Sequence, residues 1–382
     1  MFRKLATITK IRKISPIEGA DFIEAVTMTT NGWVCVAKKG DFEVGEFGVY
    51  FEIDSFLPKE ERYVFLDGKS NKTLNGVEGY RLRTIKLKKQ ISQGLLLPLS
   101  TFPEIVDPQE GDDVTELLNI KLYEPPETHA STSTRGCTAG KFPSFIRKTD
   151  QERIQSFEEE RIKSFECVNF EITEKLDGTS CTIYYKDGHF GVCSRNLELK
   201  TSFNKNFFQR CVEWFRKRFL WRRFEKQFGF PKSTYEEMAV KHNLNETLTE
   251  YCKTNNRNLA IQGEIVGTGI SSNRLKLNYV DFFVFDIFDI DKQAYIDFSE
   301  RAYITDRLGL SHVPVIDVAC HFEKKPLQEM IEFADGQSKL SDEPREGLVY
   351  KSRVDHYNES HGFKEQVSFK IISNKYLLKH GL

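Results

Sequence analysis

The stretch EITEKLDGTSCTIYY, residues 171–185, decides how the second half of the chain is interpreted. Around its start, Val168, Phe170 and Ile172 alternate with polar residues, which is the period of a half-buried strand. A second run, rich in β-branched and aromatic residues, begins at Cys181. Lys175 therefore ends one strand and precedes an Asp-Gly turn. Taken alone, the pattern predicts a β-hairpin whose turn has no chemical role.

Strand-like runs that carry one or two charged residues recur after this stretch. They are CSRN at 193–196, AIQGEIVGTGI at 260–270, DFFVFDIFD at 281–289, EGLVYK at 346–351 and VSFKIISNKY at 367–376. Any one of them is explained by a strand with a solvated face. Their number favours a common site to which several strands contribute charged side chains.

The first part of the chain has a different pattern. Residues 1–124 contain the short strand signals FIEAVTM, WVCVAKKG, GVYFEI, YRLRTIKL and GLLLPL, separated by turn residues. Such strands with little intervening helix predict a small barrel or sandwich. Residues 125–140 are poor in large apolar residues and are interpreted as a linker. From 141 to 382, strands alternate with helical runs such as TYEEMAVKHNLNETLTEYCK, which predicts an α+β domain.

Composition describes an intracellular, soluble protein. The 382 residues are 39% hydrophobic and 29% charged, with a net charge of -1, so affinity for nucleic acid requires local basic patches. The eight cysteines contain no CxxC pair, which argues against a zinc site and for reduced, mostly buried thiols. No apolar run is long enough to span a membrane. The basic start resembles a transit peptide but also predicts a first barrel strand, so cytoplasm, nucleus and an organelle all stay open.

The runs EKLDGTS, GEIVGTGI, FFVFDI and EGLVYK resemble motifs of the covalent nucleotidyltransferases, which comprise polynucleotide ligases and mRNA capping guanylyltransferases. The RNA ligase branch is the most similar, because Ser180 stands where DNA ligases and capping enzymes usually have arginine. Those enzymes also normally carry their OB domain after the catalytic domain. Here GVYFEIDSFLP and GYRLRTIKLKKQISQGLLLPL resemble the N-terminal OB module of RNA ligases that seal nicks ending in an RNA 3′-hydroxyl.

The resemblance implies an α+β fold with an N-terminal OB-like β-barrel, residues 1–124. A nucleotidyltransferase (ATP-grasp-like, ligase-type) domain of antiparallel sheets flanked by helices follows at 141–382. The implied activity is ATP-dependent joining of a 3′-OH RNA end to a 5′-phosphate end, through lysyl-AMP at Lys175 and an adenylylated 5′-end. The implied cofactors are ATP, with AMP as covalent adduct, and Mg²⁺ or Mn²⁺. The expected partner is nicked duplex nucleic acid with an RNA 3′-OH strand. The protein is expected to be a monomer and not to bind a membrane.

The same resemblance implies roles for individual residues. The implied catalytic residues are Lys175 as nucleophile, Asp177 and Lys370. The implied nucleotide-binding residues are Glu174, Lys175, Glu264 on the ribose, Phe285 stacked on adenine, Glu346, and Lys370 on the α-phosphate. The implied metal ligands, direct or through water, are Glu346, Asp177 and Glu264. The implied contacts to substrate strands and phosphates are Arg195, Asn196, Lys148 and Arg153.

Elementary chemistry agrees with a lysine nucleophile. A lysine amine attacks phosphorus only when neutral, so neighbouring cations or a metal are expected to depress its pKa. Magnesium prefers oxygen ligands and keeps several waters, which suits scattered carboxylates. One departure concerns the triphosphate: many ligases have a second lysine two residues after Lys370, but this chain has Ile372, and the next lysine is Lys375. Which lysine contacts the triphosphate stays open.

Two basic segments are candidates for nucleic-acid binding. As one strand, RLRTIKLKK at 81–89 places Arg81, Arg83 and Lys89 on one face and Lys86 and Lys88 on the other. The segment is explained equally well by a barrel face that binds phosphates and by an edge strand whose charges prevent aggregation. The basic and aromatic run at 204–228 favours an amphipathic helix with a buried stripe, the alternatives being a nucleic-acid clamp or a membrane-surface helix.

Two other functions compete with an RNA ligase. One is a DNA ligase or capping guanylyltransferase, against which Ser180 and the leading OB domain count. The other is a non-catalytic nucleic-acid-binding protein with a decayed ligase domain. Retention of Lys175 and of the three carboxylates counts against decay.

Overall fold

The structure is a computed structural model that describes most of the chain. The described residues are 4–29, 33–68, 70–123, 137–154, 157, 159–166, 168–204, 233–323, 326–358 and 363–381. Most of the expected linker at 125–140 and almost all of the basic aromatic run at 204–228 lie outside them. Within the described part, six cysteines are free thiols, and five of these are buried.

The first part of the chain folds into short strands around an apolar interior. The strands are β1 (Ala6–Pro16), β2 (Ile23–Met28), β3 (Val34–Lys38), β4 (Phe47–Phe51), β5 (Ser55–Pro58), β6 (Asn71–Leu74), β7 (Val77–Arg81), β8 (Thr84–Leu87), β9 (Gln90–Gln93), β10 (Leu95–Pro98) and β11 (Lys121–Leu122). Five form a sheet in the order β10-β4-β1-β2-β3, four form a sheet in the order β11-β5-β7-β6, and β8 pairs with β9. Short 3-10 helices cover Glu61–Leu66 and Leu99–Thr101.

Two features of the central strands explain the barrel. The register of β1 shifts between Ile11 and Lys13, so its first half pairs with β4 and its second half with β2. Such an irregularity bends a strand and lets a sheet curve. Strand β4 is apolar on both faces: Val49 and Phe51 pack in the barrel interior, and Tyr50 packs in a second cluster outside it.

The segment at 81–89 is not the single strand that its sequence predicts. Strand β7 ends at Arg81, and β8 and β9 form a hairpin whose two-residue turn is Lys88-Lys89. The turn residues have φ angles of 47° and 71°, in the left-handed region that favours glycine, asparagine and aspartate. Both turn lysines and Lys86 are exposed, so the hairpin presents three cations at its tip.

The second part of the chain contains two larger sheets. Its strands are β12 (Thr138–Lys141), β13 (Glu152–Arg153), β14 (Asn169–Lys175), β15 (Thr179–Lys186), β16 (His189–Ser194), β17 (Leu197–Leu199), β18 (Leu259–Gly267), β19 (Val280–Asp289), β20 (Ala294–Tyr295), β21 (Ser311–His312), β22 (Val315–His321), β23 (Gly347–Asn358) and β24 (Phe363–Ile372). One sheet has the order β12-β17-β16-β15-β18-β19-β20, with β21 also beside β19. The other has the order β13-β24-β23-β14-β22. The pairs β13/β24 and β19/β21 are parallel, and the remaining pairs of these sheets are antiparallel.

The hairpin predicted around Asp177-Gly178 is wrong. Strand β14 pairs with β22 and β23, whereas β15 pairs with β16 and β18, so the short connection after Lys175 passes from one sheet to the other. A Cβ on Gly178 would lie 2.2 Å from the carbonyl oxygen of Ile265, a distance that real Cβ atoms do not reach. Glycine is therefore needed where the chain crosses close to β18.

Helices flank these sheets. The described α-helices are α1 (Glu159–Lys163), α2 (Thr234–Lys241), α3 (Leu244–Asn255), α4 (Phe298–Arg307), α5 (Leu327–Ala334) and α6 (Asn374–His380). The helical run predicted at TYEEMAVKHNLNETLTEYCK is two helices, because Asn243 adopts a φ of 51° and interrupts it. Ser233 caps α2 by accepting the N–H of Glu236. No helix in the described part is long and apolar enough to cross a membrane.

A buried ionic cluster, formed by Arg301, Glu171, Asp286, Lys351 and His312, joins α4 to both sheets. Arg301 is completely buried and donates to the carboxylate of Glu171 and, at 3.1 Å, to Nε2 of His312. Lys351 Nζ lies 2.7 Å from Oδ1 of Asp286. Burial and the nearby Arg301 lower the pKa of His312 to about 4, so the imidazole is neutral. Its Nε2 can therefore accept the hydrogen bond from the guanidinium. Two cations and two carboxylates thus balance inside the protein.

The barrel packs through apolar side chains against the five-stranded sheet of the second part, β13-β24-β23-β14-β22. One hydrophobic cluster contains Trp33 and Tyr50 of the barrel together with Phe170 and Phe369 of the sheet. Polar contacts also join the barrel to α6 and to β13: Arg83 donates to the carbonyl of Gly381, just after α6, at 2.9 Å. The amide of Gln93 donates to the side chain of Asn374, and Arg153 pairs with Asp54. The hairpin β8–β9 therefore lies beside α6.

Candidate active site

Lys175 lies where the two larger sheets come together, at the end of β14. In the pairing of β14 with β23 it is opposite Gly347, and its Nζ is 2.7 Å from Oε1 of Glu346. A Cβ on Gly347 would lie 2.1 Å from the carbonyl oxygen of Ile371, so this glycine permits the close approach of β24. The lysine side chain is 25% exposed, which leaves the amine sheltered but accessible.

Three carboxylates, those of Glu346, Glu264 and Asp177, surround the amine. Burial raises the pKa of Glu264 to about 8, and the neighbouring Glu346 and Asp177 add to the rise against the opposing charge of Lys175. Burial also raises the pKa of Glu346, again together with Asp177 and against Lys175. The amine and the carboxylates thus come from both sheets and from the crossing between them, as β18 carries Glu264.

The expected depression of the lysine pKa is not found. Burial lowers the pKa of Lys175, but the charges of Glu346, Glu264 and Asp177 outweigh burial, and the net direction is upward. Neighbouring cations or a metal were expected to lower this pKa, and the charged groups that act on the amine in this structure are carboxylates. Because its pKa is raised, the amine is protonated at neutral pH.

A divalent cation fits this carboxylate group. Oε2 of Glu346 is buried and has no hydrogen-bond partner among the described residues, although a buried carboxylate oxygen normally has one. Oxygen ligands are those that magnesium and manganese prefer. In the described part, no three His, Cys, Asp or Glu side chains are close enough to form a ready-made metal cage.

Asp177 is held by two residues to which the sequence reasoning gave no role. Its Oδ2 accepts from Arg274 Nη1 at 2.6 Å and from the hydroxyl of Tyr376 at 2.7 Å. Arg274 follows GEIVGTGI in the chain and Tyr376 ends VSFKIISNKY, so proximity to quoted motifs was the available signal. Their contact with Asp177 depends on pairings nearly one hundred or two hundred residues apart.

Lys370 brings a cation to the same region. It lies on β24 opposite Val349, and burial lowers its pKa to about 7, with the charges of Lys175 and Arg153 acting in the same direction. Ile372, which replaces a second lysine, is buried in the protein interior. Lys375 is 76% exposed at its side chain and lies 3.7 Å from Asp335. Of the two lysines, Lys370 is the one within electrostatic range of Lys175.

Polar residues expected to contact substrate form an exposed rim. Lys148 Nζ donates to Oδ1 of Asn196 at 2.7 Å, and Arg195 Nη2 donates to Oδ1 of Asp150 at 3.0 Å. The side chains of Arg195 and Asp150 are more than half exposed. The structure brings together three of the four predicted substrate contacts here, whereas Arg153 pairs with Asp54 of the barrel.

Phe285 and Glu174, two predicted nucleotide-binding residues, each contact other parts of the protein. Phe285 is partly buried on β19, its carbonyl accepts from Lys351 Nζ at 2.6 Å, and that amine lies 5.6 Å from the ring centroid. Glu174 precedes Lys175 and points to the opposite strand face. Its buried carboxylate accepts from the hydroxyl of Ser338 at 2.5 Å and from the N–H of Lys339 at 2.8 Å. The structure therefore does not bring the carboxylate of Glu174 to the amine of Lys175.

Comparison with family models supports both parts of the fold. A model described as RNA ligase matches residues 168–372, more than half of the chain. A model described as an OB-fold domain matches residues 5–99. The predicted fold class, an OB-like barrel followed by antiparallel sheets with flanking helices, is confirmed. No curated protein sequence matches the chain.

Solved structures of an RNA ligase from Naegleria gruberi are similar over the whole chain. The ligase with PPi is 40% identical, with a TM-score of 0.77, and the match covers 100% of this chain and 99% of that one. A lysine-to-methionine mutant with AMP and Mn is 40% identical, with a TM-score of 0.78 and 99% coverage of both chains. A glutamate-to-alanine mutant with ATP and Mn is 40% identical, with a TM-score of 0.78 and 100% coverage of both.

Proposed function

Because the chain belongs to the RNA ligase family, we propose that it uses ATP to join a 3′-OH RNA end to a 5′-phosphate end in nicked nucleic acid. One observation carries the proposal: the Lys175 amine lies 2.7 Å from Glu346 within a group of carboxylates that has an unpartnered buried oxygen. The similar Naegleria ligase structures contain ATP, AMP, PPi and Mn. The protein acts as a monomer in this proposal.

The proposed reaction has three displacements at phosphorus. First, Lys175 Nζ loses one proton to solvent and attacks the α-phosphorus of ATP. A P–N bond forms with loss of a second proton, the α–β P–O bond breaks, and pyrophosphate leaves. Next, an oxygen of the RNA 5′-phosphate attacks the same phosphorus, the P–N bond breaks, and the amine regains a proton. Finally, the 3′-hydroxyl attacks the 5′-phosphorus, loses its proton, and AMP leaves as the phosphodiester forms.

Each group has a physical role in this scheme. Glu346, Glu264 and Asp177 would hold magnesium or manganese, directly or through water, and the cation would offset the carboxylate charge that keeps Lys175 protonated. Lys370 and Arg153 face the negative phosphates, Phe285 stacks on adenine, and Glu174 supports the nucleotide site from the other strand face. Arg274 and Tyr376 hold Asp177. The rim residues Lys148, Arg195 and Asn196 contact the RNA strand that ends in the 3′-hydroxyl.

The first test is incubation with α-labelled ATP or GTP and magnesium, followed by denaturing electrophoresis. We expect a covalent label from ATP alone, and subsequent sealing of nicks that end in RNA but not of nicks that end in DNA at the 3′-side. Label from GTP would support a capping guanylyltransferase, and efficient sealing of DNA ends would support a DNA ligase. Absence of label, once protein already carrying AMP is excluded, would support a decayed ligase domain.

The hairpin β8–β9 is the proposed contact of the barrel with the phosphate backbone. Lys86, Lys88 and Lys89 are exposed at its tip, and the hairpin lies beside α6, which carries Tyr376 to Asp177. Two lysines occupy turn positions that disfavour them, which suggests selection for charge over local stability. A duplex bound at the active site would extend along this hairpin.

Charge removal at the hairpin is expected to weaken binding of nicked RNA duplex. In the variant K86Q/K88N/K89G, the turn gains the residues it favours, so lost binding does not reflect unfolding. Removing three phosphate contacts should reduce the magnitude of the negative slope of log K against log salt by up to about 2.7. A matched variant, K38Q/K39Q/K72Q, removes three exposed lysines elsewhere on the barrel. Equal weakening in both variants, measured by salt titration, would contradict a specific hairpin contact.

A further inference from the structure

Asp54 is a barrel residue with a fixed backbone. It lies in the turn between β4 and β5 and has a φ of 68°, a conformation that aspartate tolerates better than most residues. Its N–H donates to the carbonyl of Leu82 at 3.0 Å, and its carbonyl accepts from the N–H of Tyr123 at 2.7 Å. The barrel therefore holds this carboxylate in one place.

The carboxylate of Asp54 binds two arginines from different parts of the chain. Oδ1 accepts from Arg81 Nη2 at 2.8 Å and Nε at 3.1 Å. Oδ2 accepts from Arg153 Nη2 at 3.1 Å. The side chain of Asp54 is 16% exposed, and each arginine is 18% exposed. Since little water reaches these groups, the charged hydrogen bonds are stronger than those of a surface pair.

Arg153 connects this contact to the candidate active site. Strand β13 pairs in parallel with β24, and Arg153 is the residue opposite Lys370. Because β13 has only two residues, its pairing fixes the backbone but leaves the long arginine side chain many rotamers. The charge of Arg153 reaches Lys370, where it helps lower the lysine pKa. Its hydrogen bond with Asp54 is one contact that restricts where the guanidinium lies.

We propose that Asp54 is a positioning residue for the adenylylation step, since it holds Arg153 beside Lys370 so that both cations face the triphosphate of ATP. The inference rests on the proposed function, because the triphosphate is the ligand that this cation pair would take. A planar guanidinium binds phosphate oxygens well only when its orientation is fixed. The barrel then contributes to the first chemical step as well as to RNA binding.

This role predicts different effects on the steps of the reaction. A triphosphate is present only while Lys175 is being adenylylated. Joining a nick whose 5′-end already carries AMP involves no triphosphate and releases no pyrophosphate. Loss of the Asp54 contact should therefore impair labelling from ATP while sparing the joining of a pre-adenylylated nick. A residue that merely docks the barrel would affect both.

The variant Asp54→Asn tests the inference, because asparagine tolerates the left-handed conformation, removes the charge and leaves one acceptor oxygen for the two arginines. We expect the ATP concentration for half-maximal covalent labelling to rise about tenfold, as loss of a charge-assisted hydrogen bond implies, with a smaller change in the maximal rate. Joining of a pre-adenylylated nick should change by less than about twofold. Arg153→Gln should raise the ATP concentration for half-maximal labelling to a similar extent, and labelling by the double variant should be no worse than by either single one.

The matched control is Glu78→Gln, which removes another barrel carboxylate whose partner, Lys59, lies 3.3 Å away on the barrel itself. It should leave labelling unchanged. Unaltered labelling in Asp54→Asn, equal loss of pre-adenylylated joining, or additive effects of the two substitutions would each overturn the inference. A wild-type protein that neither labels from ATP nor seals nicks would instead refute the proposed function, which separates the two failures.

Discussion

Replacing Lys175 with alanine is expected to abolish covalent labelling by ATP, with a fall of more than about ten-thousandfold. Among the described residues, Lys370 lies on β24, and Lys375 is exposed and pairs with Asp335, so neither occupies the position of Lys175. Lys175→Arg should be as inactive as alanine, because a guanidinium keeps the positive charge but does not lose its proton at neutral pH. Loss of labelling in both variants would show that Lys175 acts as the nucleophile and does not merely supply a positive charge.

The measurement is denaturing electrophoresis after incubation with α-labelled ATP and magnesium. Lys186→Ala is the matched control, since Lys186 ends the neighbouring strand β15 and pairs with Asp187. It should label like the wild-type protein. Joining of a pre-adenylylated nick should survive better than joining from ATP in the Lys175 variants, because that step needs no lysyl-AMP. Labelling retained in Lys175→Ala would identify another residue as the nucleophile.

Replacing Arg301 with methionine is expected to lower the free energy of unfolding by about 3–5 kcal/mol. Arg301 is completely buried, and its removal leaves the carboxylates of Glu171 and Asp286 with Lys351 as the one remaining cation of the buried ionic cluster. An uncompensated charge in the interior is strongly unfavourable. Urea unfolding followed by circular dichroism would measure the change.

A second substitution tests the charge balance directly. In Arg301→Met/Glu171→Gln, one cation and one carboxylate are removed together, and the pair formed by Asp286 and Lys351 stays balanced. This double variant should be more stable than Arg301→Met. Lys292→Met, whose side chain is 71% exposed and lies 3.7 Å from Asp289, should change stability by less than about 0.5 kcal/mol. Additive losses in the double variant would show that packing, not charge balance, explains the destabilisation.

The fold class and several strands could be predicted from the sequence alone. Alternating patterns located strands that carry Lys175, Glu264, Phe285 and Lys370, and the barrel signals in the first part were correct. Which strands pair was not accessible, because pairing depends on contacts between distant residues. The Asp-Gly turn after Lys175 therefore suggested a hairpin, although the chain crosses between two sheets there.

Side-chain detail was predicted less well for the same reason. Strand alternation alone would have indicated that Glu174 and Lys175 point to opposite faces, but the family resemblance grouped them as neighbours in one site. Arg274 and Tyr376 were missed because their contact with Asp177 is long-range. The carboxylates that raise the Lys175 pKa could not be counted from the sequence, since their proximity is a property of the folded site.

The hydrophobic cluster shared by the barrel and the five-stranded sheet constrains how such a protein evolves. Trp33 and Tyr50 on one side and Phe170 and Phe369 on the other belong to one continuous interior. A gene fusion that exchanged this barrel for another OB module would have to match the shape of that interior as well as the RNA. A substitution in one half must therefore be compatible with the side chains of the other half.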